Sequence, residues 1–203
     1  MNALRYGVFG SSFDPPHVAH VALATLARDH LQLDTLFVVP TGDPWQKAQA
    51  GRVVQPAEHR FAMAQLAFAG LPHIEVDRLE LDRQGPSYTL DTLQALQARH
   101  PGGDWFLVIG QDQYAKFDTW HAWPQLLALC TLAVAARGGQ APQAPPALQA
   151  VPHRMTVLPL PDMPVSSTEL RARLARGEAT NPLVAPAVAG YIAQNHLYAR
   201  TDS

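Results

Sequence analysis

The sequence is almost free of cysteine: Cys130 is the only one among its 203 residues. A single cysteine excludes an internal disulfide and any zinc site built from several thiolates. Cys130 lies in the apolar stretch LLALCTLAVAA, which favours a buried packing residue over the alternative of a catalytic thiol. The chemistry of the chain is therefore expected to come from other side chains.

Long apolar runs and net positive charge are also missing. No stretch approaches the roughly 20 apolar residues of a membrane-spanning helix, and the N-terminus shows no signal-peptide core or cleavage site. The formal net charge of -2 gives no overall positive field for nucleic acid. We therefore expect a cytoplasmic protein with no membrane or nucleic-acid partner, and any anionic ligand must be small and bound locally.

Short apolar segments alternate with segments of helical periodicity along the chain. Strands are predicted for LRYGVFG, DTLFVVP, HIEVDRLEL, DWFLVIG, TLAVAA and MTVLPL. Helices are predicted over 18–31, 57–70, 87–100 (with Ser87 as N-cap), 166–177 and 184–198. Repeated βα units of this kind predict an α/β fold with a doubly wound parallel sheet.

One domain is expected for the whole chain, 1–203, because the chain has room for one sizeable core. Its main βα core would span 1–137, and a last strand with two closing helices would span 155–203. The segment between them, 138–154, is rich in proline, glycine and glutamine and lacks periodicity. It is predicted to be a surface loop.

The stretch GVFGSSFDPPHVAH, residues 7–20, is the first strand-to-helix connection. Its turn of small residues, Gly10, Ser11 and Ser12, lets main-chain N–H groups approach an anion, and the following helix adds its positive N-terminal end. The P-loop pattern fails because no Gly-Lys-Ser/Thr follows, and the dinucleotide-binding pattern fails because Gly7 and Gly10 have the wrong spacing. The turn therefore predicts a phosphate site of another kind.

Two histidines follow this turn, His17 and His20. At i and i+3 on a helix they share a face and can point into one pocket, where they would supply the positive charge that a P-loop lysine supplies elsewhere. Two alternatives stay open on the residues alone. The histidines could be surface or capping residues, or they could form a metal cluster with Asp14.

A second motif, VSSTELRARL, lies at 165–174. Ser166, Ser167 or Thr168 can cap the helix that begins there. Arg171 lies near the first turn, where the helix dipole disfavours a cation. Hydroxyls, free N–H groups and a guanidinium together suit polyphosphate oxygens. The alternative is an ordinary capped helix with a surface arginine.

Together, GSSFDPPHVAH and SSTELR resemble the two signature motifs of the nucleotidyltransferase superfamily. GPSYTLDTL and IGQDQYAKFDTW are similar to the segments that distinguish bacterial nicotinate-mononucleotide adenylyltransferases, and the resemblance runs from Gly7 to the tail YIAQNHLY. It implies a Rossmann-like fold with C-terminal helices. It also implies transfer of the adenylyl group of ATP to nicotinate mononucleotide, with Mg²⁺ accompanying the ATP. The oligomeric state is left open.

The resemblance also implies which residues hold the phosphates. His17, His20 and Arg171 would be catalytic, as donors to the ATP phosphates. The other residues implied in phosphate or nucleotide binding are Gly10, Ser11, Ser12, Lys47, Arg137, Ser167 and Thr168.

The remaining implied roles concern the adenosine ribose and the pyridine ring. Asp112 would bond the ribose, with Gly110 allowing a close approach. Thr89, Trp120 and the main chain around His121 would bind the nicotinate, with the indole stacked on the ring; for Trp120, a simple core aromatic is the alternative.

The chain departs from the family pattern at two places. Ala19 stands before His20 where a glycine is common, and the loop TGDPWQK has Trp45 and Gln46 where many relatives carry a histidine, which leaves Lys47 as the cation. Two other functions remain open. The chain could be another adenylyl- or cytidylyltransferase, with phosphopantetheine or nicotinamide mononucleotide as acceptor, or a nucleotide sensor without turnover.

Overall fold

The computed structural model describes residues 3–42, 54–136 and 139–199. Its strands are β1 (Arg5–Ser11), β2 (Thr35–Pro40), β3 (Ile74–Val76), β4 (Asp104–Gly110), β5 (Thr131–Ala136) and β6 (Met155–Pro159). They form one sheet in the order β3-β2-β1-β4-β5-β6, and every neighbouring pair is parallel. The predicted doubly wound parallel sheet is confirmed.

Helices connect the strands and close the chain. They are α1 (Val18–His30), α2 (Ala57–Phe68), α3 (Thr89–Arg99), α4 (Gln111–Tyr114), α5 (Trp123–Leu129), α6 (Pro146–Gln149), α7 (Ser167–Ala175) and α8 (Pro186–Gln194), with a 3₁₀ turn at Phe117–Thr119. The predicted helices correspond to α1, α2, α3, α7 and α8. Within the described ranges, no helix is both long and apolar enough to cross a bilayer.

Both faces of the sheet are buried, as a parallel sheet requires. In β2, Phe37 and Val39 pack with α3 and α5 on one face, whereas Leu36 and Val38 pack with α1 and α2 on the other. A third apolar cluster joins α2 to α7 and α8 and includes Met63, Leu170, Val184, Val188 and Ile192. The closing helices are therefore packed against the βα core.

The strand order places a crevice between β1 and β4. The chain runs outward from β1 through β2 to β3 and then returns to β4 on the other side of β1. Ligands in open α/β sheets bind outside the carboxyl ends of the strands at such a reversal. The end of β1, with Gly10 to Ser12, and the helix after β4, with Asp112, meet at this point.

Two local expectations were wrong. The strand predicted over 73–81 is only three residues long, because the N–H of Leu79 donates to Asp77 Oδ1 (2.7 Å) and the chain turns. Ser87 is not the N-cap of α3: Tyr88 takes that position, and no side chain caps the helix. In the segment 73–81, the alternation of apolar and polar residues thus continues past Val76, where the backbone leaves the sheet.

The segment predicted as a surface loop is only partly at the surface. Within its described part, 139–154, the helix α6 buries Leu148 completely in the core. The hydroxyl of Tyr114 on α4 also lies 3.0 Å from His153 Nε2, while His153 Nδ1 donates to the carbonyl of Val151. These contacts attach the segment to the region just after β4.

Candidate active site

A cleft of about 490 Å³ lies at the carboxyl ends of β1 and β4. It brings together most of the residues that the sequence singled out. The expected site residues in its wall are Gly10, Ser11, Ser12, His17, His20, Thr89, Gly110, Asp112, Trp120, His121 and Ser167.

One end of the cleft is formed by the end of β1. Gly10 and Ser11, predicted to lie in a turn, are the last two residues of this strand, and Ser12 follows it. Gly10 is exposed, and a Cβ added there would come no closer than 3.8 Å to another atom, so the main chain is open on that side. The helix α1 that follows has no acidic residue in its first turn. Its positive N-terminal end is therefore not neutralised by a first-turn carboxylate, which favours an anionic ligand.

The two histidines form a stacked pair beside the end of β1. Their ring centroids are 3.8 Å apart and their planes differ by 28°. The main-chain N–H of His17 donates to His20 Nδ1 (3.2 Å), so a neutral His20 carries its proton on Nε2. His17 is 8% exposed, and both rings line the cleft. Two imidazoles thus share one part of the cleft wall.

A metal cluster formed by these two histidines with Asp14 is the alternative that the sequence leaves open. Among the residues that the structure describes, there is no group of three or more histidine, cysteine or acidic side chains placed to hold a metal ion.

The second motif is attached directly to the first. Ser166 caps α7 by accepting from the N–H of Glu169 (3.2 Å), and the hydroxyl of Ser167 donates to the carbonyl of Pro15 (3.1 Å). Arg171 donates through Nη1 to the carbonyl of Asp14 (2.8 Å) and through Nη2 to Thr168 Oγ1 (3.2 Å). Ser167 lines the cleft, whereas Thr168 and Arg171 are not among the residues of its wall.

The far end of the cleft carries the residues expected at a pyridine ring. Thr89 is the first residue of α3, and the ring of His121 stacks on Tyr88 at 4.1 Å. The main-chain N–H of Trp120 donates to the carbonyl of Phe117 (3.0 Å). The N–H of His121 donates to no main-chain carbonyl of the described residues, so it is the donor available to a ligand there.

Gly110 and Asp112 lie between the two ends. Gly110 ends β4, and a Cβ added to it would meet nothing within 4 Å. Asp112 is exposed on α4 and lines the cleft. Two other expected site residues, Lys47 and Arg137, lie outside the described residues.

Arg60 holds the main chain at the end of β1 through a hydrogen bond to the carbonyl of Ser12, and sequence reasoning missed it. It is 1% exposed and donates to the carbonyls of Ser12 (3.0 Å), Gly42 (3.1 Å) and Gln55 (2.8 Å). Burial lowers the pKa of its guanidinium, and the nearby charge of Asp14 opposes that shift. An arginine on the apolar stripe of α2, one turn before Met63 and Ala64, was the available signal.

Glu80 is a second residue that was missed. It is 7% exposed, lines the cleft near Thr89, and accepts a hydrogen bond from Thr92 Oγ1 (2.7 Å). A buried carboxylate is costly unless it is paired, and here its acceptor oxygen is used by the Thr92 hydroxyl.

The chain is similar to known proteins over nearly its whole length. The family model described as cytidylyltransferase-like matches residues 8–173. A probable nicotinate-nucleotide adenylyltransferase from Methylibium petroleiphilum is 48% identical, over 96% of this chain and 92% of its own length. Another of the same name, from Bordetella pertussis, is 43% identical over 98% and 100%. The chain belongs to the nicotinate-nucleotide adenylyltransferase family.

A solved structure gives independent support for the fold of this family member. The Plasmodium falciparum nicotinic acid mononucleotide adenylyltransferase complexed with NaAD matches it with a TM-score of 0.75 at 19% identity. The match covers 96% of this chain and 97% of the other. The Rossmann-like nucleotidyltransferase fold expected from the sequence is confirmed.

Arg60 gives a stability prediction for this nicotinate-nucleotide adenylyltransferase family member. In R60M, three main-chain carbonyls lose their donor, so we expect the free energy of unfolding to fall by roughly 2–5 kcal/mol. Urea denaturation measures this change. The control is R78M, because Arg78 is a half-exposed arginine whose partners, Glu58 and Asp82, remain in water. An equal loss in both variants would contradict the supporting role of Arg60.

Cys130 gives a reactivity prediction. The side chain is completely buried, its Sγ–H donates to the carbonyl of Leu126 (3.2 Å), and burial raises the pKa of the thiol to about 12. The thiolate needed for alkylation is therefore scarce at about pH 8. We expect iodoacetamide to leave both Cys130 and activity intact in the native protein, with full labelling in denaturant. Rapid labelling of Cys130 in the native protein, with loss of activity, would instead support a catalytic role for this thiol.

Proposed function

We propose that the protein transfers the adenylyl group of ATP to nicotinate mononucleotide and releases pyrophosphate. One observation carries this proposal: the two signature motifs meet at one end of a single cleft, whose other end is formed by Thr89, Trp120 and His121. A phosphate-binding end and an aromatic end suit two nucleotides joined through their phosphates. The names of the full-length relatives support the same reaction.

The reaction requires positioning more than acid–base chemistry. The phosphate of nicotinate mononucleotide is already an anionic nucleophile at neutral pH, so its oxygen can attack the α-phosphorus of ATP directly. The bond from the α-phosphorus to the bridging oxygen breaks as the new bond forms, and pyrophosphate leaves in line with the attack. The protein has to hold two anions together and neutralise the charge of the leaving group.

The phosphate end supplies donors for this purpose. The main chain of Gly10, Ser11 and Ser12 would hold the phosphates where the two nucleotides join. His17, at the N-cap of α1, and His20, in its first turn, would donate to the leaving pyrophosphate. The further phosphate donors would be Ser167, Thr168 and Arg171 from the second motif, with Lys47 and Arg137 as predictions from the sequence.

The other contacts would orient the two nucleosides. Asp112 would accept from the adenosine ribose, with Gly110 leaving room for its approach. The indole of Trp120 would stack on the pyridine ring. Thr89 and the N–H of His121 would donate to the nicotinate carboxylate.

Magnesium is expected to arrive with ATP. The wall of the phosphate end offers main-chain N–H groups, serine hydroxyls and imidazoles, a donor set suited to phosphate oxygens. Mg²⁺ keeps several waters and is held largely by the nucleotide phosphates, so it needs few dedicated protein ligands. When bound, the ion would neutralise charge on the ATP phosphates.

The test is a pyrophosphate-release assay with ATP and a panel of acceptors. We expect rapid release with nicotinate mononucleotide and little with phosphopantetheine or inorganic phosphate. Preference for phosphopantetheine would identify another transferase of the superfamily. Tight ATP binding without release for any acceptor would indicate a nucleotide sensor.

A further inference from the structure

The segment after α8 reaches back to the first signature motif. The hydroxyl of Tyr198 donates to Asp14 Oδ1 at 2.6 Å, a bond between residues 184 positions apart. Asp14 is 1% exposed and lies in the turn between β1 and α1, three residues before His17. A buried carboxylate needs such partners to remain charged at low cost.

The second oxygen of the same carboxylate faces Arg171. Asp14 Oδ2 makes no hydrogen bond within the described part of the chain, and Arg171 Nη1 lies 3.8 Å from it. That separation is too long for a hydrogen bond but short enough for strong attraction. Arg171 is meanwhile held by the main-chain carbonyl of Asp14 and by Thr168. The guanidinium of Arg171 is thus held by two hydrogen bonds, neither of which is to the carboxylate of Asp14.

We propose that Tyr198 is a positioning residue for Arg171, acting through Asp14. By holding Oδ1, the hydroxyl prevents the carboxylate from turning fully onto the guanidinium. Without it, Asp14 would compensate its lost hydrogen bond by pairing with Arg171, and the carboxylate would then compete with ATP phosphates for the same donor. The inference rests on the proposed function, in which Arg171 binds those phosphates.

The first measurement is steady-state kinetics of Y198F. We expect the KM for ATP to rise about tenfold, the size of effect that one hydrogen bond to a charged group can have, while the KM for nicotinate mononucleotide stays within about twofold. The matched control is Y191F. Tyr191 lies on α8, and its hydroxyl is bonded to His59 Nδ1 of α2 at 2.9 Å. It anchors the same C-terminal region without reaching Asp14, so its KM for ATP should not change.

A double-mutant cycle with R171A decides whether Tyr198 acts through Arg171. If it does, Y198F has no further effect on the KM for ATP once Arg171 is absent. If Y198F raises that KM by the same factor with and without Arg171, or if Y191F matches Y198F, the role is only structural and the proposal is overturned. If Y198F does not fold, D14N replaces it in the cycle, and equal factors again overturn the proposal.

Calorimetric titration with ATP repeats the cycle without turnover. This separates the two claims, because a wild-type protein that binds ATP but releases no pyrophosphate refutes the proposed function alone. In that case the positioning role would still hold if the effects of Y198F and R171A on the ATP dissociation constant were not independent. Independent effects of the two substitutions on that constant refute the positioning role alone.

Discussion

Replacing His17 with alanine is expected to lower kcat by roughly 10²–10³-fold, the loss that follows removal of one preorganised donor from a developing anion. His17 is nearly buried, stacked on His20 at 3.8 Å, and lies at the positive end of α1. Such a donor gains strength as charge builds up on the leaving pyrophosphate, so kcat should fall more than substrate affinity. Steady-state kinetics with both substrates measures the split.

Two further variants separate chemistry from packing. H17N keeps a polar residue suited to the N-cap of α1 but lacks the imidazole, so it should lose nearly as much kcat as H17A. H100A removes a histidine that packs on Tyr6 and Phe37 at the opposite end of the strands, and it should leave kcat unchanged. An unaltered kcat in H17A, or stoichiometric zinc in the purified protein, would contradict this role.

The second large effect is a preference of about 10²-fold or more for nicotinate over nicotinamide mononucleotide. A site that presents donors from Thr89 and the N–H of His121 satisfies a carboxylate, whereas a carboxamide turns its own N–H₂ toward them. Each mismatched buried polar group costs about 1–3 kcal/mol, so two mismatches account for that ratio. Comparison of kcat/KM for the two acceptors checks it, and equal values or an amide preference would contradict the substrate assignment.

The acidic residue that could weaken this preference is Glu80. Asp118, two residues before Trp120, does not line the cleft, whereas Glu80 does. A carboxylate there would repel the nicotinate carboxylate and could accept from the amide. E80Q should therefore strengthen the preference for the acid while Gln still accepts from Thr92, and D118N serves as the control with an unchanged preference.

The sequence predicted most of the sheet because buried parallel strands are short apolar runs with clear boundaries. DTLFVVP and TLAVAA are examples, and they became β2 and β5 almost residue for residue. HIEVDRLEL misled because its alternation continues past Val76, where the side chain of Asp77 caps a turn instead. Side-chain hydrogen bonds to the main chain of this kind are not visible in a periodicity.

The sequence singled out the parts of the candidate site whose residues are close along the chain, Gly10 to Ser12 and the pair His17 and His20, and the structure places them all in the cleft wall. The partners of Arg171 could not be predicted in this way, since its hydrogen bond to Asp14 joins residues 157 positions apart. The roles of Tyr198 and Arg60 could not be predicted either, because their partners are also distant along the chain. Their roles depend on which buried groups the fold brings near them, and a single sequence does not encode that in spacing.

The central claim is direct adenylyl transfer between two nucleotides held in one cleft. The most direct test is a single-turnover reaction with ATP labelled at the α-phosphorus, with and without nicotinate mononucleotide, followed by separation of protein, dinucleotide and pyrophosphate. We expect all transferred label to appear in nicotinate adenine dinucleotide, with one pyrophosphate released per dinucleotide and no pyrophosphate released without the acceptor. Label retained on the protein, or pyrophosphate released from ATP alone, would contradict it.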